Sequence, residues 1–361
     1  MRAVPLNTFY EKTRSAKRIL VPDLGFLGDT VHLVPALWEI KRHYPEADIH
    51  VLTSPLGAEV LRLAPCVHRV WPLEIDPQRR SWQDQWRILR ALRRERFDVA
   101  FNFGGNDRTT ILTGLTGALW RVAHAAGRNH FWNHWLVPNW VPRQDPDVVM
   151  FEQRRKVLAA CGFNLAAPRF DLKVSDESVS WAAGIVPTGA IHVSTNSANP
   201  LKEWPVQHYI TLLQKLWIQQ PDLPVMASAG RGERERSRLH AFASGLNDSR
   251  LQLLPPELSI AQLAGVLSRC RLHLGPDSGV MNLAMGLGVP TVSFFREQGA
   301  YRAWMPAGHQ HQVIHVPCHC VDHVNAPCEK TGIPACLTGI EPDRIAALIR
   351  EALDRIPKGS N

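Results

Sequence analysis

The chain has 361 residues, of which 45% are hydrophobic and 20% charged, which excludes a disordered protein and leaves room for two α/β domains. No apolar run approaches the roughly eighteen residues that would span a bilayer, and the N-terminus lacks a signal-peptide core. We therefore expect a cytoplasmic protein, with residues 1–17 as a loosely held arm. The net charge of +8 indicates an anionic partner.

Strand-like apolar runs alternate with helical patterns in both halves of the chain. In the first half they predict strands at 19–21, 48–54 and 97–103 and helices at 30–43, 57–63 and within 79–96. In the second half they predict strands at 190–195, 223–230, 251–255, 271–275 and 290–295 and helices at 205–219, 233–245, 259–267, 279–287 and 342–356. Such alternation predicts two doubly wound parallel-sheet domains with a cleft between them.

The weakest periodicity lies between residues 164 and 189, where proline, glycine and polar residues mix. We therefore assign 18–170 to the first domain, 171–189 to a linker and 190–340 to the second domain. Residues 341–361 form a terminal helix that packs on either domain, including back on the first.

The helix within residues 79–96 carries seven arginines and an i, i+4 pair of tryptophans, Trp82 and Trp86. It is amphipathic with a basic face, which is either a solvated surface or a site for an anionic or membrane-anchored acceptor. Arg79, Arg80 and Arg87 are the candidate acceptor contacts. No nucleic-acid-binding module is present, so we do not expect nucleic acid as a partner.

Two strand–glycine–helix segments contain acids. "DLGFLGDTVHLVP" (23–35) follows the first strand and holds Gly25, Gly28 and Asp29. "GPDSG" (275–279) follows a buried strand and opens a helix, whose free N–H groups suit a diphosphate. In each segment the acid or serine could instead only cap its helix.

These segments resemble blocks of glycosyltransferase family 9, the heptosyltransferases. "GPDSGVMNLAMGLGVPTVSFF" is similar to the family's D-[TS]-G-x-x-H-L segment, the opening stretch to its S-x-G-D loop, and "LKEWP" to its K-x-W-P motif. "SAGRGERE" and the cysteine-bearing tail follow in family order, so the resemblance spans about residues 18–350. It implies a GT-B fold and inverting, metal-independent sugar transfer, with heptose from ADP-heptose as the favoured donor.

The resemblance also implies a role for each matching residue. Asp29 would be the general base, and the turn containing Gly25 and Gly28 would lie beneath the acceptor. The donor would be held by Ser194, Thr195, Lys202, Glu233, Asp277, Ser278, Gly279 and Asn282, with Glu235 as the alternative to Glu233 if one residue is gapped. The helix N-terminus predicts a low pKa for Asp29. The implied acceptor is an anionic lipopolysaccharide-core or lipid-linked saccharide, reached by peripheral contact with the cytoplasmic face of the inner membrane.

The sequence departs from the family pattern at two places. Asn282 stands where the family has histidine, so a role that needs an imidazole is in doubt. Phe26 and Leu27 occupy a loop in which small or polar residues are usual, which affects the acceptor. Two other functions therefore stay open: a GT-B nucleotide-sugar 2-epimerase, and a non-catalytic relative that binds nucleotide-sugar or metal.

The seven cysteines fall into two groups. Cys66, Cys161 and Cys270 lie singly in apolar settings, which predicts buried thiols in a reducing compartment. Four cluster near the C-terminus with interleaved histidines: Cys318, Cys320, Cys328 and Cys336. Four thiols suit a structural zinc or iron site, although the spacing is not a common zinc pattern, so free thiols remain an alternative. We expect no cofactor for catalysis.

Overall fold

The computed structural model describes residues 4–76, 78, 81–125, 130, 132–318 and 327–355, leaving aside the side chains of 327 and 329. The chain divides into two compact units, Met1–Lys173 and Val174–Asn361. The division falls inside the segment that the sequence assigned to a linker. Each unit contains a six-stranded sheet in which every described strand pair is parallel.

The first unit is a doubly wound sheet with strand order β3-β2-β1-β4-β5-β6. Its strands are β1 (Arg18–Asp23), β2 (Asp48–Thr53), β3 (Arg69–Pro72), β4 (Val99–Asn102), β5 (Trp120–His124) and β6 (Asn139–Val141). Its helices are α1 (Phe9–Thr13), α2 (Leu27–His43), α3 (Pro55–Leu61), α4 (Trp82–Arg94), α5 (Asp107–Leu115), α6 (Asn133–Leu136) and α7 (Met150–Ala160). The order reverses between β1 and β4, and ligands bind such sheets at the strands' carboxyl ends beside this point.

Over its described residues, 4–17, the N-terminal segment is not the loosely held arm that the sequence predicted. Phe9 is completely buried and packs edge-on against Phe101 and Trp120, with ring centroids 5.9 and 6.2 Å away. The backbone N–H of Tyr10 donates to the carbonyl of Cys161. Aromatic burial of this kind anchors the segment to the core of the first unit, which outweighs its polar composition.

The second unit repeats the same topology, with strand order β12-β11-β10-β7-β8-β9. Its strands are β7 (Ile191–Ser194), β8 (Val225–Ser228), β9 (Leu251–Leu253), β10 (Leu272–Pro276), β11 (Thr291–Glu297) and β12 (His311–Pro317). Its helices are α8 (Asp176–Ala183), α9 (Val206–Gln219), α10 (Glu233–Leu246), α11 (Ile260–Arg269), α12 (Gly279–Gly286), α13 (Pro327–Thr331), α14 (Ala335–Thr338) and α15 (Pro342–Arg355). The two doubly wound α/β sheets predicted from the sequence are thereby confirmed.

Two boundary segments are more ordered than their composition suggests. The proposed linker contains α8, which is capped by the Ser175 side chain and packs on α11. Gly265 permits this contact, since a Cβ there would lie 2.5 Å from the carbonyl oxygen of Ser178. The terminal helix α15 packs on α9 within the second unit, and its buried Ile345 and Ile349 belong to that unit's core.

A row of polar side chains crosses the interior of the second sheet. His192 and His273 face each other with their Nδ1 atoms 2.9 Å apart, and His192 Nε2 lies 3.0 Å from the Ser228 hydroxyl. One strand further along, His311 Nδ1 lies 3.0 Å from the Thr291 hydroxyl. Burial lowers the pKa of His192 to about 3 and that of His311 to about 4, so these imidazoles are neutral.

Within the described residues, helices both apolar and long enough to cross a bilayer are absent. Cys66, Cys161 and Cys270 are buried free thiols, as the sequence predicted.

Candidate active site

Asp29 lies in the first turn of α2, just after β1 ends at Asp23. Its Oδ2 accepts a hydrogen bond from the backbone N–H of Phe26 at 3.0 Å, which closes the turn. The side chain is partly exposed. The carboxylate therefore stands at the carboxyl edge of the sheet, where ligands of doubly wound proteins bind.

Arg154 on α7 holds this acid in place. Its Nη1 donates to the carbonyl oxygen of Asp29 at 2.6 Å, and its Nη2 lies 3.8 Å from Asp29 Oδ1. The same guanidinium lies 3.5 Å from the carboxylate of buried Asp23. One buried cation thus faces two carboxylates, an arrangement that we did not predict from the sequence.

The environment raises the pKa of Asp29 above its ordinary value. Burial is the main cause, the charge of Asp23 adds to it, and Arg154 acts in the opposite direction. The prediction of a low pKa from the helix N-terminus was wrong, because desolvation outweighs the helix dipole here. A raised pKa makes Asp29 a stronger base than a solvated aspartate.

The glycines of the opening turn have a steric reason. A Cβ at Gly25 would lie 2.3 Å from the Cβ of Asp29, so only glycine lets the chain pass this close to the acid. The Ser54 hydroxyl donates to the Gly25 carbonyl at 3.2 Å and fixes the turn from the neighbouring strand. Gly28 lies buried in the first turn of α2.

The candidate acceptor arginines are only partly visible. Arg87 projects from α4 into solvent and pairs with Asp84 one turn earlier. Arg79 and Arg80 lie outside the described residues. An acceptor role for the three remains a proposal.

In the second unit, Lys202 and Asp277 form an ion pair. Lys202 Nζ donates to Asp277 Oδ2 at 2.5 Å, although 75 residues separate them in the chain. Asp277 follows β10 and Lys202 follows β7, the neighbouring strand, so both lie at the carboxyl edge of this sheet. Burial raises the pKa of Asp277, and the ammonium of Lys202 counteracts part of that effect.

Ser278, Gly279 and Asn282 form the start of α12. The Ser278 hydroxyl accepts a hydrogen bond from the N–H of Met281 at 3.3 Å, so this side chain caps the helix. Buried Asn282 donates from Nδ2 to the Ser278 carbonyl at 2.9 Å. Asn282 therefore braces the turn as a neutral donor.

Ser194 and Thr195 are buried at the end of β7 and are held through their carbonyls. The Tyr209 hydroxyl donates to the Ser194 carbonyl at 3.2 Å, and Arg238 Nε donates to that of Thr195 at 2.9 Å. The Thr195 hydroxyl donates to the Asn196 side chain. The structure brings this strand end beside the Asp277 turn, because the Ser197 hydroxyl donates to the Asp277 carbonyl at 2.8 Å.

Glu203, the variable residue inside "KEWP", is a buried carboxylate whose role we did not predict from the sequence. It accepts hydrogen bonds from the Ser197 N–H at 2.9 Å and from Arg234 Nη1 at 2.7 Å. Arg234 also donates to the Ser197 carbonyl at 2.7 Å. The Glu203–Arg234 pair therefore fixes the loop between Ser197 and Lys202, although the sequence offered only two opposite charges far apart.

Glu233 and Glu235 differ in placement. Glu233 is exposed in the first turn of α10. Glu235 folds back over the preceding turn, where a Cβ on Gly232 would lie 1.9 Å from its Oε2, and its carbonyl accepts from Asn196 at 3.5 Å. Of the two acids Glu235 is the less exposed, and its carboxylate pairs with Arg234 while its backbone carbonyl faces Asn196.

The cysteine tail is described in part. The thiols of Cys318 and Cys336 are hydrogen-bonded, and burial together with Cys318 raises the pKa of Cys336 to about 11. Arg296 Nη1 contacts Cys328 Sγ at 3.7 Å. Cys320 and the intervening histidines His319 and His323 lie outside the described residues, so the four-thiol site remains a proposal.

Among the residues described, the one three-residue cluster with metal-ligand spacing is Asp48, His50 and His68. The Nδ1 of His50 accepts a hydrogen bond from the Trp71 indole at 3.1 Å, which uses the lone pair of a neutral imidazole. This trio therefore carries no metal assignment.

Two Rossmann-like units that each present an acid at the carboxyl edge of the sheet define a protein of the GT-B class. The sequence profile of glycosyltransferase family 9 (heptosyltransferase) matches residues 85–333, which is more than half of the chain. The chain belongs to this family and is a glycosyltransferase.

Individual relatives agree with this assignment. Lipopolysaccharide heptosyltransferase 1 of Pseudomonas aeruginosa is 25% identical, over 93% of this chain and 98% of its own length. A family 9 glycosyltransferase from Veillonella parvula superposes with a TM-score of 0.79 at 18% identity, over 98% of this chain and all of its own. Escherichia coli heptosyltransferase WaaC with ADP gives 0.75 at 16% identity, over 93% and 99%.

Proposed function

We propose that this enzyme transfers heptose from ADP-heptose to a lipopolysaccharide-core saccharide, with inversion at the anomeric carbon and without a catalytic metal. The family and the relatives' substrates support this donor and acceptor class. The observation that carries the proposal is the Lys202–Asp277 pair at the start of α12. A lysine beside a helix N-terminus suits a leaving diphosphate.

In the proposed reaction the acceptor hydroxyl gives its proton to the Asp29 carboxylate while its oxygen attacks the anomeric carbon. A carbon–oxygen bond forms on one face as the bond to the ADP oxygen breaks on the other. Lys202 turns from Asp277 to the departing diphosphate, whose growing charge the α12 N–H groups also stabilise. The raised pKa of Asp29 favours this proton transfer.

The binding roles follow the same division between the two units. Glu235, the less exposed of the two acids, would accept hydrogen bonds from the donor ribose in preference to Glu233. The Gly25 turn would lie beneath an anionic acceptor saccharide, with Arg87 contributing charge. We further propose that the enzyme works in the cytoplasm, in peripheral contact with the inner membrane.

A structural zinc or iron at the cysteine tail is a separate proposal. Three thiols of the tail, those of Cys318, Cys328 and Cys336, are buried or half-buried. Arg296 contacts Cys328 Sγ, and its positive charge partly opposes the raised pKa of Cys336. Because the pKa of Cys336 is raised, metal binding would release protons. Elemental analysis should find about one metal ion per chain, and substituting Cys336→Ser should remove it.

The test of function compares purified enzyme with ADP-heptose alone and with a heptose-acceptor saccharide added. We expect ADP release only with acceptor, an inverted anomeric configuration by NMR, and full activity in EDTA. Donor conversion without acceptor would instead support the epimerase alternative. Family membership favours transfer over both the epimerase and the non-catalytic alternative.

A further inference from the structure

Exposed large hydrophobic side chains gather on two neighbouring helices of the first unit. Trp82 and Trp86 project from α4 with 70% and 57% of their surface exposed. Ile111 and Leu115 are exposed on α5. We call these four side chains the tryptophan face. Single exposed apolar groups are ordinary, whereas a contiguous set marks a binding surface.

The tryptophan face is contiguous because a groove joins its two helices. This groove has a volume of about 200 Å³ and is lined by all four side chains, with Leu89 and Leu112 at its floor. Leu89 is buried and belongs to the first unit's packed interior. The tryptophan face is therefore an outward extension of an apolar layer on a fixed helix pair.

Arginines border the tryptophan face on the same helix. Arg90 and Arg94 line a second groove together with Trp82 and Trp86, and Arg93 lies in the last turn of α4. The single acid within α4 is Asp84. Tryptophans that reach the headgroup level, combined with arginines that reach phosphates, are typical of helices lying in a membrane interface.

The tryptophan face also lies toward the edge of the sheet that carries Asp29. All strands of this sheet run parallel, so α2, α4 and α5 begin at the same edge, where β1, β3 and β4 end. Trp82 opens α4 and is therefore the member of the tryptophan face nearest this edge, whereas Ile111 lies at the middle of α5 and Leu115 at its end. A lipid-linked molecule bound here would extend its head toward that edge.

We propose that the tryptophan face docks the enzyme on an anionic lipid bilayer, with Trp82 and Trp86 in the headgroup region and the α4 arginines on lipid phosphates. The arginines around the tryptophan face favour an anionic bilayer over a second copy of this chain, because two copies docked through the same face would bring arginines against arginines. The net charge of +8 adds to the attraction for anionic lipid. The proposal deepens the proposed function, because it states how a lipid-linked acceptor reaches Asp29.

The experiment is cosedimentation of the full-length protein with vesicles of phosphatidylethanolamine containing about one-third phosphatidylglycerol, or of phosphatidylcholine alone. We expect at least about tenfold stronger binding to the anionic vesicles, declining in high salt. Trp82→Ser with Trp86→Ser should weaken binding about tenfold or more. Arg90→Gln with Arg93→Gln should weaken it severalfold and flatten the salt dependence.

Matched controls come from the second unit: Ile218→Ser, a 79% exposed side chain on α9, and Arg344→Gln, an exposed arginine on α15. Both should bind vesicles like the parent. Equal binding to both vesicle types, unchanged binding of the tryptophan variant, or an equal loss in the controls would overturn the proposal. Self-association in sedimentation velocity that the tryptophan variant abolishes, without vesicle binding, would assign the face to a second copy instead.

The two proposals fail separately. ADP titration and transfer to a water-soluble acceptor saccharide should be unchanged in the tryptophan variant. If the parent binds anionic vesicles but transfers no sugar, the proposed function is wrong and the docking surface stands. If it transfers sugar to the soluble acceptor but ignores vesicles, the docking proposal is wrong.

Discussion

Each unit places an acid after one of the two central strands of its sheet but pairs it with a different cation. Asp29 and Asp277 each follow a central strand at the carboxyl edge, and burial raises the pKa of both. The partner of Asp29 is Arg154, only 7% exposed and anchored on a carbonyl, whereas the partner of Asp277 is Lys202, 36% exposed on a flexible stem.

This difference separates two tasks that a cation can perform. The guanidinium of Arg154 fixes the backbone of Asp29 while its nearest carboxylate contact stays long, so the acid is positioned without a close ion pair. The ammonium of Lys202 makes a short bond that a ligand phosphate could replace. The first unit thus holds a fixed acid, which we propose as the base, and the second holds a lysine that could exchange its carboxylate partner for a phosphate.

The largest expected effect comes from removing the base. Asp29→Asn should lower the transfer rate about a thousandfold, the order expected for a lost general base, because the amide accepts no proton. ADP affinity should be unchanged, because the residues that we propose bind the donor lie in the other unit. Rates of ADP release and calorimetric ADP titration measure the two quantities. Asp176→Asn, another first-turn acid, is the control, and a fully active Asp29→Asn enzyme would remove Asp29 from the mechanism.

Arg154→Gln tests whether Arg154 sets the acidity of Asp29. Arg154 lowers the pKa of Asp29 against burial, so its loss should raise that pKa further and move the acid limb of the pH–rate profile to higher pH. Buried Asp23 and partly exposed Asp29 would also lose their shared cation, at a cost of about 3 kcal/mol in unfolding free energy. Arg154→Lys keeps the charge and should restore most of the stability. An unmoved acid limb in Arg154→Gln would contradict the assignment.

Lys202→Met should weaken ADP binding by about 10- to 100-fold, as expected for a lost charged hydrogen bond. The acid limb of the pH–rate profile should stay in place, unlike that of Arg154→Gln. Lys215→Met is a close control, since Lys215 forms an exposed ion pair with Asp343 in the same unit. Equal calorimetric affinities for the Lys202 and Lys215 variants would show that Lys202 is only a surface partner of Asp277.

The smallest effect distinguishes two neighbouring acids. Glu235→Gln should lower ADP affinity about fivefold to tenfold through a lost charged hydrogen bond, while Glu233→Gln should leave it unchanged. A larger loss of ADP affinity in Glu233→Gln than in Glu235→Gln, measured by calorimetric titration, would instead assign donor binding to Glu233.

The sequence predicted the alternation of strands and helices and the acids at the strand ends, because apolar periodicity and glycine turns are local signals. The sequence pattern did not predict α7. Arg154 and Arg155 are buried there against distant carboxylates, so the inward face of this helix carries charge and its apolar stripe is broken. The sequence pattern did not predict β5 either, because the buried Arg121 and His124 interrupt its apolar run.

The supporting residues of the site were missed for the same reason. Arg154 meets Asp23 and Asp29 across more than a hundred residues, and Arg234 on α10 meets Glu203, which lies 31 residues earlier in the chain. Pairs of this kind produce no recognisable spacing in the sequence, because the two partners are far apart in the chain. They form where tertiary contacts override the local hydrophobic pattern, and functional residues are expected at such positions.

The histidine row in the second sheet should make the folded enzyme less stable at low pH. His192, His273 and His311 stay neutral in the fold, whereas in the unfolded chain they take up protons below about pH 6.5. Acid therefore favours the unfolded second unit, by about 2 kcal/mol at pH 5 for each of His192 and His311. We therefore expect the second sheet to unfold on acidification through protonation of its buried histidines.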